Sequence, residues 1–356
     1  MAERPPRPLR FLVPGTGGRF RCGGLLVELQ TARLTAALRP TEVVTYRQRQ
    51  ADHPFLADLL RREPSPGEAL WIVSWGFDVP RLLRRLRGRP VAYHAHSSGY
   101  GFDLPPGVPV LAVSRNTLGY WGDRAPRQPL LLVPNALAAP WLERGRRRGG
   151  PAEPAPPLQR RPIDVLVQRR KSSGYLLEQL VPALRRRGLR VEVQSGWVDD
   201  LVDLFNDAAV VLYDSADYWR SRGVSEGFGL PPLEALACGC VVFSSLNHAL
   251  ADSLDPGRGL GYQIGCGSLA ADVERISAAV ADPAAHQPPP ELLERLLADC
   301  SEASLLPRWR QALAEVDAHW DRLLRDGEPP LRSPGRRQLR LASLGQRLAG
   351  LWRSLK

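Results

Sequence analysis

Residues 223–245 read GVSEGFGLPPLEALACGCVVFSS, and this stretch decides the fold of the second half of the chain. Two glutamates, Glu226 and Glu234, are separated by seven residues that include Gly227, Gly229 and the pair Pro231-Pro232. Proline suits the first positions of a helix, because its φ is already helical and its missing N–H would be unpaired there anyway. A helix is therefore expected around Pro232–Ala237, with Glu234 in its first turn and Gly239 placed to end it. The apolar run Val241–Phe243 then reads as a buried strand. One carboxylate sits on a glycine loop and one just inside a helix, both at the same strand-to-helix crossing. Glycines at such a crossing let backbone N–H groups approach a ligand closely.

Outward from this point the same alternation of short apolar runs and amphipathic segments continues. In the second half, strands are expected at Ile163–Val167, Arg190–Val193, Val210–Tyr213 and Tyr262–Ile264. Helices are expected at Tyr175–Arg187, Asp200–Asn206, Ala270–Ala281, Glu291–Asp299 and Leu306–Leu324. The first half repeats the pattern, with strands at Arg10–Val13, Val43–Tyr46, Leu70–Trp75, Val91–His94, Val108–Val113 and Leu130–Val133. Between them lie helical stretches at Gly24–Leu38, Pro54–Arg62 and Val79–Arg87. Such alternation indicates βαβ units and a parallel sheet. Residues 144–162, RGRRRGGPAEPAPPLQRRP, are dense in Gly, Pro and Arg and read as an interdomain linker. The expectation is an α/β protein of two Rossmann-like doubly wound domains facing a central cleft. The boundaries are 1–145 for the first domain, 146–162 for the linker, 163–326 for the second domain with its terminal helices, and 327–356 for a tail. Ligands of such folds bind at the carboxyl ends of the strands.

Composition narrows the function. With 44% hydrophobic and 24% charged residues the chain is globular rather than disordered, and 356 residues suffice for two cores. No apolar run approaches the roughly 20 residues needed to span a bilayer. The only apolar block near the start, Phe11-Leu12-Val13, is too short for a secretory segment. A cytoplasmic protein is expected, and five scattered cysteines without CxxC pairs read as buried reduced thiols. Net charge is +11, but residues 327–356 carry seven basic residues and one acid, so over half of it lies in the tail. That distribution speaks against nucleic acid as partner.

The segment EGFGLPPLEALACG closely resembles the Glu-x7-Glu motif of the retaining glycosyltransferases of group 1 (family 4), which have the GT-B fold. The resemblance covers roughly residues 10–325. It implies a nucleotide-sugar donor and a hydroxyl acceptor, either a glycan or a lipid-linked sugar. It assigns the donor sugar to Glu226 with Gly227, Phe228, Gly229 and Leu230, and the ribose hydroxyls to Glu234. Gln168-Arg-Arg-Lys171 falls where the family places an Arg and a Lys on the diphosphate, which points to Arg170 and Lys171. Independently of the family, Lys171 is one of only two lysines among 48 basic residues, and a lone lysine where a helix starts suits phosphate. Gly17 and Gly18, in the glycine loop after the first strand, echo the family's glycines beside the diphosphate. His96, rather than His94, resembles its strand-end histidine near the reacting sugar. Retention is implied without a metal or other cofactor, and no DxD ligand pair stands at a strand end. Three departures put the identity of the donor in question: the long approach DSADYWRSRGVS, Cys240, and the loop LNHALADSLDPG, which lacks the family's glycine pair.

Three alternatives stay open. Gly223-Val-Ser-Glu-Gly227 also fits the G-x-S-x-G elbow of serine hydrolases, although neither the strand before it nor the helix directly after it is expected here. A catalytically silent GT-B protein that binds sugar or nucleotide is the second. The third concerns the tail: Leu341, Leu344, Leu348, Leu351, Trp352 and Leu355 recur at helical spacing among Arg340, Arg347 and Arg353. Residues 336–356 suit either an anionic membrane surface, which would make the protein peripheral to the inner face of a membrane, or packing on the first domain.

Overall fold

The computed structural model describes residues 5–64, 67–125, 128–151, 161–196, 198–265 and 267–326, with positions 340, 341 and 344. The first sheet contains β1 (Leu9–Val13), β2 (Thr41–Thr45), β3 (Leu70–Val73), β4 (Val91–Ala95), β5 (Val110–Ala112) and β6 (Leu130–Leu132). All pair in parallel, in the order β2-β1-β3-β4-β5-β6. The second contains β7 (Ile163–Gln168), β8 (Val191–Gln194), β9 (Ala208–Tyr213), β10 (Val241–Ser244) and β11 (Tyr262–Gln263), parallel in the order β11-β10-β9-β7-β8. The two parallel-sheet α/β domains match the expected class.

Each sheet is covered on both faces, which is why its strands read as continuous apolar runs. Alternation along the strands sorts the side chains between two cores. Leu9, Phe11, Leu70 and Ile72 enter one core, while Leu12, Trp71 and Val73 enter the other. In the second sheet Val165, Val167, Val210 and Leu212 face one way, and Leu166, Val211 and Tyr213 the other. The expected helix over residues 175–187 forms, but its first part, Tyr175–Leu180, is π-helical before Val181–Arg186 turns α-helical. Pro182 supplies the cause: it has no N–H for the Glu178 carbonyl and its ring crowds that carbonyl, so the preceding turn widens. Helices at Arg115–Arg124, Ala139–Arg144 and Ala216–Arg220 were not expected from the sequence.

Two segments pack away from their neighbours in sequence. The expected helix near Leu306–Leu324 runs from Glu302 to Asp326 and lies on the first domain. Leu305, Trp309, Leu313 and Val316 join the core formed by Leu9, Phe11 and Ile72, and the Trp320 indole donates to the Val91 carbonyl at 3.0 Å. Burying each of those apolar side chains contributes about 1.5–3 kcal/mol. The surface pair Arg33–Glu302 adds about 0–1 kcal/mol, so the apolar stripe decides the docking. Conversely, Leu137 and Trp141 pack into the second domain beside Leu233 and Leu236. The two crossings touch where the Leu137 amide donates to the Cys300 carbonyl at 2.8 Å.

The arginine-rich segment is not all solvated. Arg147 is only 4% exposed and is paired with Glu294 at 2.6 Å. The Arg161 guanidinium donates to the carbonyls of Ala208 and Cys238 at 2.5 and 3.0 Å. Residues 152–160 lie outside the described residues. Cys238, Cys240 and Cys300 are buried free thiols and Cys22 is half-buried; Cys266 is outside the described residues. Of the tail, Arg340, Leu341 and Leu344 are helical and exposed, and the rest of residues 327–356 lies outside the described residues. Among the described residues no helix is long and apolar enough to cross a membrane.

Candidate functional site

In the second sheet the strand order reverses at β7, so the crevice where such sheets bind ligands opens between the ends of β7 and β9. The chain leaves β7 at Gln168 and reaches Lys171, a non-glycine residue held at φ +67°. Strained backbone of this kind persists where surrounding structure fixes it. Ser172 and Ser173 do the fixing: Ser172 Oγ donates to the Gln168 carbonyl at 2.6 Å, and Ser173 Oγ donates to Asp214 at 2.5 Å while accepting from the Leu176 amide at 3.1 Å. Lys171 Nζ consequently lies 3.3 Å from Glu226 Oε1 and 4.9 Å from the centre of the Trp219 ring. Arg170, expected beside it, is exposed and makes no ion pair with a described residue.

Glu226 is 3% exposed. Its Oε2 accepts from the Tyr213 hydroxyl at 2.5 Å and from the Trp219 indole at 2.7 Å, while Oε1 faces Lys171. Burial works to raise this carboxyl, but the Lys171 ammonium and the two donors outweigh it and hold it below its ordinary range. Tyr213 is pushed well above its ordinary value, first by burial and then by the Glu226 charge, so its hydroxyl stays a donor. Trp219 lies on the short helix Ala216–Arg220, inside the long approach that departs from the family pattern. The Glu226 amide donates to His248 Nδ1 at 3.2 Å. An amide can only donate, so that nitrogen is unprotonated and the ring is neutral. Burial lowers the His248 pKa in the same sense.

Gly229 is left-handed at φ +86° and caps the helix Leu230–Ala237, which starts slightly earlier than expected and moves Glu234 into its second turn. Phe228 and Leu230 pack half-buried on the second domain's core. The Glu234 carboxyl differs sharply from that of Glu226. Burial pushes it up to about 7, against a smaller lowering by Lys171, and it accepts no hydrogen bond from any described residue. The crevice thus holds one anchored carboxylate and one without partners, with a single lysine between them.

The first domain closes on this loop. A Cβ on Gly227 would stand 1.5 Å from the His96 carbonyl, and one on Gly99 2.1 Å from the Gly223 carbonyl. Ser225, 4% exposed, ties the two loops together. Its carbonyl accepts from Ser97 Oγ at 2.7 Å, and its Oγ accepts from Ser98 Oγ at 2.7 Å and from Asn116 at 3.3 Å. Among the described residues no histidine reaches Ser225 Oγ, so GVSEG is an interdomain clasp and the hydrolase elbow has no base.

His96 is brought to the loop's edge through its backbone, with its ring half-buried. The His96 pKa is lowered, chiefly by burial and then by His94. Gly17 and Gly18 lie in the loop that follows β1 and are hydrogen-bonded to no described residue of the second domain. Sequence reading missed Tyr213, Trp219 and His248 around Glu226, and Glu28 beside His94 and His96. Glu28 alone carried a signal, as an acid on the buried side of the helix Gly23–Thr35.

No family model and no curated protein matches the sequence. Solved structures do resemble the fold. A glycosyltransferase from Rickettsia africae ESF-5 is 10% identical with a TM-score of 0.59, over 88% of this chain and 99% of that one. Sucrose-phosphate synthase from Thermosynechococcus elongatus is 14% identical with a TM-score of 0.57, over 88% and 99%. Anabaena HepE, in complex with UDP and glucose, is 15% identical with a TM-score of 0.57, over 87% and 100%. At these identities the likeness is one of fold: the chain shares the two parallel-sheet α/β domains of GT-B glycosyltransferases.

Proposed function

We propose that the protein is a retaining glycosyltransferase of the group 1 type, moving a sugar from a nucleoside diphosphate to a hydroxyl of a glycan or lipid-linked acceptor. The observation that carries this reading is the trio at the β7/β9 crevice: Lys171, the anchored Glu226 and the unpartnered Glu234. Glu234 takes the ribose hydroxyls, which donate to its free carboxylate. Glu226, fixed on Oε2 by Tyr213 and Trp219, presents Oε1 to the donor sugar, with the backbone of Gly227, Phe228, Gly229 and Leu230 beside it. Lys171, with Arg170 and the amides before the helix at 175–186, holds the diphosphate, and Gly17 and Gly18 close on it from the first domain. His96 stands at the reacting sugar.

Transfer breaks the anomeric C–O bond, so positive charge grows on the sugar while negative charge grows on the departing diphosphate. A fixed ammonium aimed at the diphosphate stabilises that state more than the ground state, and the reading routes no step through a metal there. The acceptor hydroxyl attacks from the face that the diphosphate leaves, passing its proton to the departing phosphate oxygen. The acceptor is met on the cytoplasmic side, at an anionic membrane surface bound by residues 336–356.

The test is a thermal-shift screen of UDP, GDP, ADP and their common sugars on wild type and Glu234→Ala, with UDP first because the HepE structure carries it. A ligand at about 100 times its Kd stabilises by about 2.7 kcal/mol. Stabilisation of wild type alone supports the site. Silence from every nucleotide refutes it, and binding without turnover leaves the silent sugar- or nucleotide-binding protein.

A further inference from the structure

Behind His96, which the proposed glycosyltransferase site uses only at its edge, lie His94 and Glu28, which it does not use. β4 closes with Tyr93-His94-Ala95 and runs on to His96, so His94 and His96 share one face of the sheet. The helix Gly23–Thr35 lays Glu28 over them. Glu28 Oε1 is 3.1 Å from His94 Nδ1 and 3.3 Å from His96 Nε2, and the two imidazole centres are 4.2 Å apart. One ligand atom from each residue can be chosen so that all lie within 4.8 Å of one another. Glu28 and His94 are 2% and 1% exposed, and the cluster meets solvent only through His96.

As a hydrogen-bond network the cluster is incomplete. Glu28 Oε2, His94 Nε2 and His96 Nε2 are all buried without a well-formed hydrogen bond to a described residue, His96 Nε2 lying 3.3 Å from Glu28 Oε1. Of these, His96 Nε2 also belongs to the group of atoms that converges on Glu28 Oε1, and a buried polar atom left unmet is costly. We propose that Glu28, His94 and His96 form a binding site for one divalent transition-metal ion of the zinc type. Two imidazoles and a carboxylate are ligands for such ions, whereas magnesium and calcium take oxygen shells. Ligands about 2.0–2.1 Å from a tetrahedral centre stand about 3.3–3.4 Å apart, close to the two observed separations. Three protein ligands leave a fourth position, reached from the cleft past His96. The ion is held by residues of the first domain alone and does not replace Lys171 at the diphosphate.

The full-length protein, stripped with a chelator and dialysed, is titrated with Co²⁺ and Zn²⁺. Visible absorption follows Co²⁺, and bound metal is counted by mass spectrometry. One ion per chain with a Kd in the micromolar range or tighter is expected, weakened at least about 100-fold in His96→Gln. Glu28→Gln, nearly the same shape, must weaken it too; circular dichroism confirms that each variant is folded, and if Glu28→Gln is not, the half-buried His96→Gln decides alone. Failure of wild type to bind, or equal binding by His96→Gln, overturns the site. Neither outcome touches the glycosyltransferase reading, which the nucleotide screen tests separately on Glu234.

Discussion

Glu234→Gln should make the protein more stable at pH 8 and at the same time abolish nucleotide binding. In the fold this carboxyl ionises only at about 7, against 4.5 for an unhindered glutamate, because burial disfavours its charge. Between pH 4.5 and 7 the folded protein therefore keeps a proton that the unfolded chain has lost. Stability falls as pH rises through that window and is flat above it. At about 1.4 kcal/mol per pH unit, ionised Glu234 costs the fold about 3 kcal/mol at pH 8, and glutamine does not bear that cost. The variant should melt about 4 °C higher than wild type at pH 8, with little difference at pH 4.5. Thermal unfolding of the two proteins from pH 4.5 to 8, without and with saturating nucleotide, measures both effects. A variant destabilised equally at both ends of that range would refute the account of Glu234 as a carboxylate held ready for a ligand.

Two further outcomes follow from the same crevice. Lys171→Ala should lower kcat by about 10²–10³ with a smaller change in KM, and it also removes the charge that holds the Glu226 carboxyl low; an unchanged kcat in a steady-state assay would take Lys171 out of the chemistry. Gly227→Ala cannot keep the present contact, since its Cβ would meet the His96 carbonyl at 1.5 Å. The contact between this loop and the end of β4 must shift, and lost activity with a lower melting temperature, read by thermal unfolding and a transfer assay, should follow.

What the sequence determined by itself is local. Period and composition placed the strands within two residues at either end, because each is a short apolar run between polar helices. The Glu226–Glu234 spacing was legible because seven residues of glycine loop and helix start dictate their own geometry. Pro182 also carried its message in sequence, although the π-helical turn it forces was not anticipated.

The tertiary structure decided everything that depends on partners distant in sequence. An amphipathic stripe on Glu302–Asp326 says that a face must be buried but not against what, and it docks on β1 and its neighbours in the first domain, some three hundred positions away. Composition made the segment around Arg147 read as a linker, yet a guanidinium can be buried where Glu294 meets it. GVSEG was ambiguous as a string, and the serines of the first domain turned it into a clasp. Trp219 and Tyr213 converge on Glu226, and Glu28 on His94 and His96, only once the sheets have formed. Such pairings depend on which surfaces meet in three dimensions, and neither residue periodicity nor motif spacing encodes that.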